Sequence, residues 1–171
     1  LGNALPAAGQ FRTPPQQTHV KSHLLDADTV WMGTSNGVVK MLRNGQLLQR
    51  WTADDFPEPG FPASTPTAMA LDNQGRLLVY YDFWGIRRFD GVQWEILSDP
   101  FTPVIGNLSF IDIAVDSQNR ILLGGGSFMY RQQGSDWEAI STPFSSHNRM
   151  KRGPDGHIWV ITNQFVARLD D

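Results

Sequence analysis

The chain has 171 residues, 40% of them apolar and 18% charged, with a formal charge of −3. That length suits one domain with a sizeable core, and the acidic balance argues against a nucleic-acid surface. Cysteine is absent, which excludes disulfides and thiolate metal sites, and no apolar run approaches the ~18 residues of a membrane-spanning helix.

Sixteen Gly, eleven Pro and the many aromatics lean toward short strands and turns. In chain order, Gln10–Pro15 resembles the segment around Gln93–Ile96 and is expected to be a single outer strand. Strands follow over Val20–Leu25, Thr29–Thr34, Val38–Leu42 and Leu47–Trp51, and then a Pro-rich loop over 53–66. A second set covers Thr67–Leu71, Arg76–Tyr81, Ile86–Asp90 and Gln93–Leu97, with a loop over 98–109. A third covers Phe110–Val115, Arg120–Gly124, Phe128–Arg131 and Asp136–Ile140. The last has Asn148–Arg152, His157–Thr162 and Phe165–Leu169, one strand short. Nothing shows a sustained helical period, so no helix is expected. A chain opening on Leu1 with no signal peptide reads as a processed or excised product.

The four sets align. With Trp31 as anchor, Leu78, Leu122 and Trp159 are its counterparts. Three residues upstream lie Asp28, Gly75, Asn119 and Gly156, residue types that tolerate the positive φ of a tight hairpin. Trp51, Trp94 and Trp137 recur at equal spacing, which points to packing between units rather than to sugar stacking. A period of ~40–45 residues with four strands per unit is the signature of a β-propeller. The expected fold is therefore all-β: a propeller of four four-stranded antiparallel blades. The N-terminal strand would complete the last blade and cover its edge. Residues 1–171 form one such domain or half of a larger ring.

Trp31-Met32-Gly33-Thr34, Asn36-Gly37-Val38, Gly85-Ile86-Arg87-Arg88-Phe89-Asp90 and Asp155-Gly156-His157-Ile158-Trp159-Val160 carry a further resemblance. Together they are similar to the two-component regulator propeller repeat, roughly Asp-x-x-Gly-x-Leu-Trp-Val-Gly-Thr-x-x-Gly-Leu-x-Arg-Phe-Asp. NHL-type propellers are the second family of similar pattern. The resemblance spans about residues 18–171 and implies a sensor domain, often periplasmic, in proteins that usually have more than four blades. A periplasmic or extracellular location is the expectation.

Alternating strands sort the loops onto two faces. One carries short polar turns. The other carries the interblade loops and is rich in aromatics, among them Phe56, Phe61, Tyr81, Phe83, Trp84, Phe101 and Phe144. Binding residues concentrate on loops held by a rigid frame, so Phe83 and Trp84 are candidate ligand contacts; the alternative is that these rings cap the core. The inner strands line a channel whose first positions include His19 and His147, followed by Lys21, Asp112 and Arg149. The two imidazoles could share a proton or a ligand, or be ordinary rim histidines. Lys21 and Arg149 with Asp112 could hold a carboxylate or phosphate. Asp26-Ala27-Asp28 and Asp72-Asn73 lack the spacing of a calcium loop and read as turn residues. No acid, base and nucleophile set is recognisable, so no catalytic residue, metal or cofactor is assigned. The expected function is a non-catalytic binding or sensing module for a small ligand or protein, without nucleic-acid binding or membrane insertion. One alternative is a channel-mouth lyase or hydrolase using His19 and His147. The other is an assembly unit, a homodimer closing an eight-bladed ring.

Overall fold

The computed structural model describes residues 19–55, 65–82, 84–97, 112–125, 128–142, 149–162 and 164–169. Blade one is β1 (Val20–Asp26), β2 (Thr29–Thr34), β3 (Gly37–Leu42) and β4 (Leu47–Trp51). Blade two is β5 (Ala68–Leu71), β6 (Leu77–Tyr81), β7 (Gly85–Phe89) and β8 (Trp94–Ile96). Blade three is β9 (Asp112–Val115), β10 (Ile121–Gly125), β11 (Phe128–Gln133) and β12 (Asp136–Ser141). Blade four has three described strands, β13 (Arg149–Arg152), β14 (Ile158–Ile161) and β15 (Val166–Leu169). Among the described residues each strand pairs antiparallel with its neighbour in sequence, and no sheet contains a crossover. The inner strands meet in order, β1 against β5, β5 against β9 and β9 against β13. The architecture is that of a four-bladed β-propeller. The outer strand expected at Gln10–Pro15 lies outside the described residues.

Blade faces, not blade edges, make the core. The first interior cluster joins Trp31, Val38 and Trp51 of blade one to Met69, Leu77, Val79, Tyr81, Phe89 and Trp94 of blade two. Trp31 and Trp51 stack with ring centroids 5.5 Å apart, and Phe89 meets Trp51 edge-on at 4.8 Å. The second cluster joins Leu78, Tyr80 and Ile86 to Ile113, Val115, Ile121 and Leu123, with Trp137 packed alongside. The third joins Ala114, Leu122 and Met129 to Met150, Ile158 and Val160. The middle blades are therefore covered on both sides. Their second strands are accordingly continuous apolar runs, Leu77–Tyr81 and Ile121–Gly125, buried throughout. In the end blades β4 and β15 are largely open.

The turns at the base follow the expected chemistry with one difference. Gly75, Asn119 and Gly156 take positive φ as anticipated, but in blade one Ala27 does so (φ 47°), not Asp28. The reason is register: Asp26 pairs with Thr29, leaving a two-residue turn whose first residue is Ala27. A second difference is a short 3-10 turn at Ala53–Asp55 inside the expected loop. Asp55 Oδ2 holds it by accepting from Thr52 N at 2.6 Å and Thr52 Oγ1 at 3.1 Å.

Asp72 and Asp116 are turn residues in twin latches. Asp72 Oδ1 accepts from the backbone N of Gln74 and Arg76 at 3.0 and 2.9 Å, and Oδ2 from Arg76 Nε at 2.6 Å. Asp116 repeats this with Gln118, Arg120 and Arg120 Nε at 3.0, 2.8 and 2.6 Å. Asn73 then ties the latches together. Its backbone N donates to Asn119 Oδ1 at 2.7 Å, and its Nδ2 donates to Asp116 O and Ser117 O, both at 3.1 Å. Arg152 of blade four donates through Nη1 to Asn73 Oδ1. Blades two, three and four are thus fastened at their inner turns.

Candidate functional site at the channel mouth

β1, β5, β9 and β13 all start at the same end of the blades, where the interblade loops and the second-to-third-strand turns also lie. The sequence puts polar residues there. Lys21, at the start of β1, crosses to blade two: its Nζ donates to Asp82 Oδ2 at 3.2 Å and to Thr67 Oγ1 at 3.4 Å. The neighbouring Ser22 Oγ donates to Pro66 O at 2.8 Å. An ammonium group has three donors, so this geometry leaves Lys21 one more. Its side chain is half exposed, and that of Asp82 about a fifth.

Asp82 belongs to the turn between β6 and β7, which also carries Trp84. Trp84 N donates to Tyr81 O at 3.1 Å, and the residue is 41% exposed. The carbonyl of Trp84 accepts from Arg87 Nη1 at 2.8 Å, and Ile86 O accepts from the same nitrogen at 3.2 Å. Arg87 and Tyr81 are buried at the junction of blades one and two. Burial pushes the Tyr81 hydroxyl far up, with Arg87 opposing the shift, so it stays protonated. The turn that carries exposed Trp84 thus also carries Asp82, the partner of Lys21.

Asp112 begins β9, the inner strand of blade three. Its Oδ2 accepts from Met150 N at 2.6 Å and its Oδ1 from Ile113 N at 3.0 Å. The carboxylate stitches blade three to blade four and is partly committed to that task. Burial lifts it above the ordinary value of 3.8, against the two backbone donors and nearby Arg149 and Lys151, which lower it. Between its unfolded and folded values the folded state holds more proton. The contribution of Asp112 to stability is then full below the unfolded value and declines as pH rises through the folded one. Asp112→Asn removes that slope. In urea unfolding at several pH values, the stability of the variant relative to the parent should rise with pH. A difference flat in pH would show that the carboxyl does not titrate this way.

Arg149, at the start of β13, is exposed. His19 is exposed ahead of β1, and its carbonyl accepts from Ser35 N at 3.0 Å. His147 and Phe83, and with them Phe56, Phe61, Phe101 and Phe144, lie outside the described residues. Among the described residues no group of three or more His, Asp or Glu is close enough to hold a metal ion. Asp82, Thr67 and Arg87 are the site residues that reading the sequence missed. The signal available for Asp82 was its place beside Phe83 and Trp84 on the aromatic face.

Neither a protein-family model nor a curated protein matches the sequence. Solved structures do resemble the fold. The extracellular domain of a hybrid two-component system from B. thetaiotaomicron is similar at 16% identity and a TM-score of 0.65, over 95% of this chain and 24% of that one. A catalytically inactive virginiamycin B lyase from Staphylococcus aureus, with quinupristin, is similar at 14% identity and a TM-score of 0.65, over 93% of this chain and 55% of that one. PorZ, a surface component of the type-IX secretion system of Porphyromonas gingivalis, is similar at 17% identity and a TM-score of 0.58, over 86% and 24%. The chain spans about half the length of the lyase and about a quarter of the other two. What these proteins share with this chain is the propeller fold. Among the described residues no helix is long and apolar enough to cross a membrane.

Proposed function

We propose that the protein is a non-catalytic binding or sensing propeller of the two-component regulator type, working in the periplasm or outside the cell. Its ligand site is the aromatic loop face at the channel mouth. The observation that carries this is the exposed Trp84 ring on the same turn as Asp82, whose carboxylate is 3.2 Å from Lys21 Nζ. An exposed indole offers a stacking plane, and the remaining Lys21 donor suits an anionic or hydroxyl group beside it. The ligand class that fits is a small ring compound bearing a carboxylate, with Arg149 as a second cation at the mouth. The similar fold of the extracellular domain of a hybrid two-component system supports this reading.

Calorimetric titration with a panel of ring carboxylates, aromatic and sugar-derived, tests it. A bound member should lose affinity about tenfold or more in both Lys21→Ala and Trp84→Ala, the scale of one charge-assisted hydrogen bond or one aromatic contact. Unchanged affinity in both variants would move the site elsewhere.

A second reading is a channel-mouth lyase or hydrolase using His19 and His147. The fold likeness to virginiamycin B lyase and the exposure of His19 favour it. Turnover of quinupristin by the purified protein, lost in His19→Ala, would establish it; no turnover removes the ground for this version.

A further inference from the structure

We propose that Asn44 is a site of spontaneous modification: its side-chain amide is lost by cyclisation onto Gly45, and the fold withholds the same reaction from Asn36. The chain contains two Asn-Gly pairs, Asn36-Gly37 and Asn44-Gly45. In such a pair the glycine has no Cβ to shield its backbone nitrogen. That nitrogen, once its proton is lost to solvent base, attacks Cγ of the asparagine. A C–N bond forms, the side-chain nitrogen leaves as ammonia, and a succinimide ring results. Water then opens either ring carbonyl and leaves aspartate or isoaspartate. The two pairs are chemically alike, so their surroundings decide between them.

Asn44 and Gly45 form the tip between β3 and β4, and both are exposed. Gly45 N donates to Leu42 O at 2.9 Å, and Leu42 N donates to Gln46 O at 2.8 Å. Asn44 Oδ1 accepts from Gln46 N at 2.9 Å. Among the described residues nothing lies within 4 Å of where a Cβ on Gly45 would stand. Surface backbone bonds of this kind open at little free-energy cost. The exposure comes from position within a blade. The corresponding tips of blades two and three, Asp90-Gly91 and Gln133-Gly134, are exposed as well, although both faces of those blades are covered.

Asn36-Gly37 is held differently. Thr34 is buried, and its Oγ1 accepts from Asn36 N at 3.2 Å and donates to Gly37 O at 2.9 Å. Ser35 N donates to His19 O at 3.0 Å. Gly37 also lies against the backbone of Trp51, a member of the first interior cluster. To bring Asn36 Cγ onto Gly37 N, the turn has to leave all of these contacts. The aspartate product at position 44, by contrast, has a precedent in the fold. Asp90 sits at the same place in blade two, where its Oδ1 accepts from Val92 N and Gln93 N, both at 2.8 Å. The amides of Gln93 and Val92 hold the Asp90 carboxyl below its ordinary value of 3.8.

Incubation of the folded chain in mildly alkaline water enriched in oxygen-18, then tryptic digestion in ordinary water and mass spectrometry, tests this. The isotope marks hydrolysis that precedes digestion. Asn44 and Asn36 fall in separate peptides, 44–50 and 22–40. In the folded chain, labelled product should accumulate about tenfold or more faster at Asn44 than at Asn36. In urea the two rates should converge. Asn44→Gln should remove the labelled product from the first peptide, because the ring it would have to close is one atom larger and forms more slowly. Equal rates in the folded chain, faster conversion at Asn36, label that persists in Asn44→Gln, or an Asn44 that stays unlabelled while the urea-unfolded chain reacts would each overturn the proposal.

Discussion

Trp51→Ala should destabilise the protein by about 3–5 kcal/mol, the range for emptying a large aromatic site in a packed core. Trp51 is 5% exposed and meets three other rings: Trp31 stacked at 5.5 Å, Phe89 edge-on at 4.8 Å and Trp94 edge-on at 5.9 Å. Its removal opens the junction of blades one and two from the outer side, where β4 has no further strand to close over it. Small domains have only about 5–15 kcal/mol in hand. Equilibrium unfolding in urea, followed by far-UV circular dichroism, gives the difference. A loss below about 1 kcal/mol would mean that the four-ring cluster does not hold the two blades together. The same substitution at Trp137, which packs only partly buried against the next cluster, is expected to cost less.

Gly37→Ala should cost about 3 kcal/mol or more. Gly37 opens β3 at φ +104°, a region in which L side chains are strained. A Cβ there would also lie 1.9 Å from Trp51 O, a backbone atom that cannot swing away. Strain and overpacking each cost about 1–3 kcal/mol. Gly45→Ala separates the two effects. Gly45 has φ +90° but nothing within 4 Å of the added carbon, so it bears the backbone term alone. Urea unfolding of the pair should rank Gly37→Ala as clearly the worse. Equal losses would place the whole penalty in the dihedral angle.

Much of this architecture was legible because a propeller writes itself locally. Each hairpin is two short strand runs with a turn residue between its arms, so the positions of Gly75, Asn119 and Gly156 could be read directly. Trp51 and Trp94 both pack between blades one and two, as their spacing suggested, but from opposing faces: Trp51 pairs with Val38 at the start of β3 and Trp94 with Phe89 at the end of β7. The Ala27 turn was not legible: which of two adjacent residues takes positive φ depends on a register that composition does not reveal. The site was legible by place and not by partner. Position along the inner strand brings Lys21 to the channel mouth. That it meets Asp82 is a fact about how blade two is rotated against blade one, and nothing within either blade encodes it alone. Asp112 likewise stood out as a charged group at the mouth. Its bond to Met150 N depends on how closely β13 approaches β9. The N-terminal strand, His147 and Phe83 fall outside the described residues.

Among the described residues each strand pairs only with the one made just before or after it, and that ordering governs how these blades are assembled during synthesis. Among the described residues, the strands of a blade have their backbone partners as soon as its own last strand leaves the ribosome. Loop closure stays short and entropically cheap at every step. The same ordering makes the chain modular. A whole blade inserted between Thr52 and Thr65 would leave every existing hairpin in register, and would ask only that its two faces match those on either side.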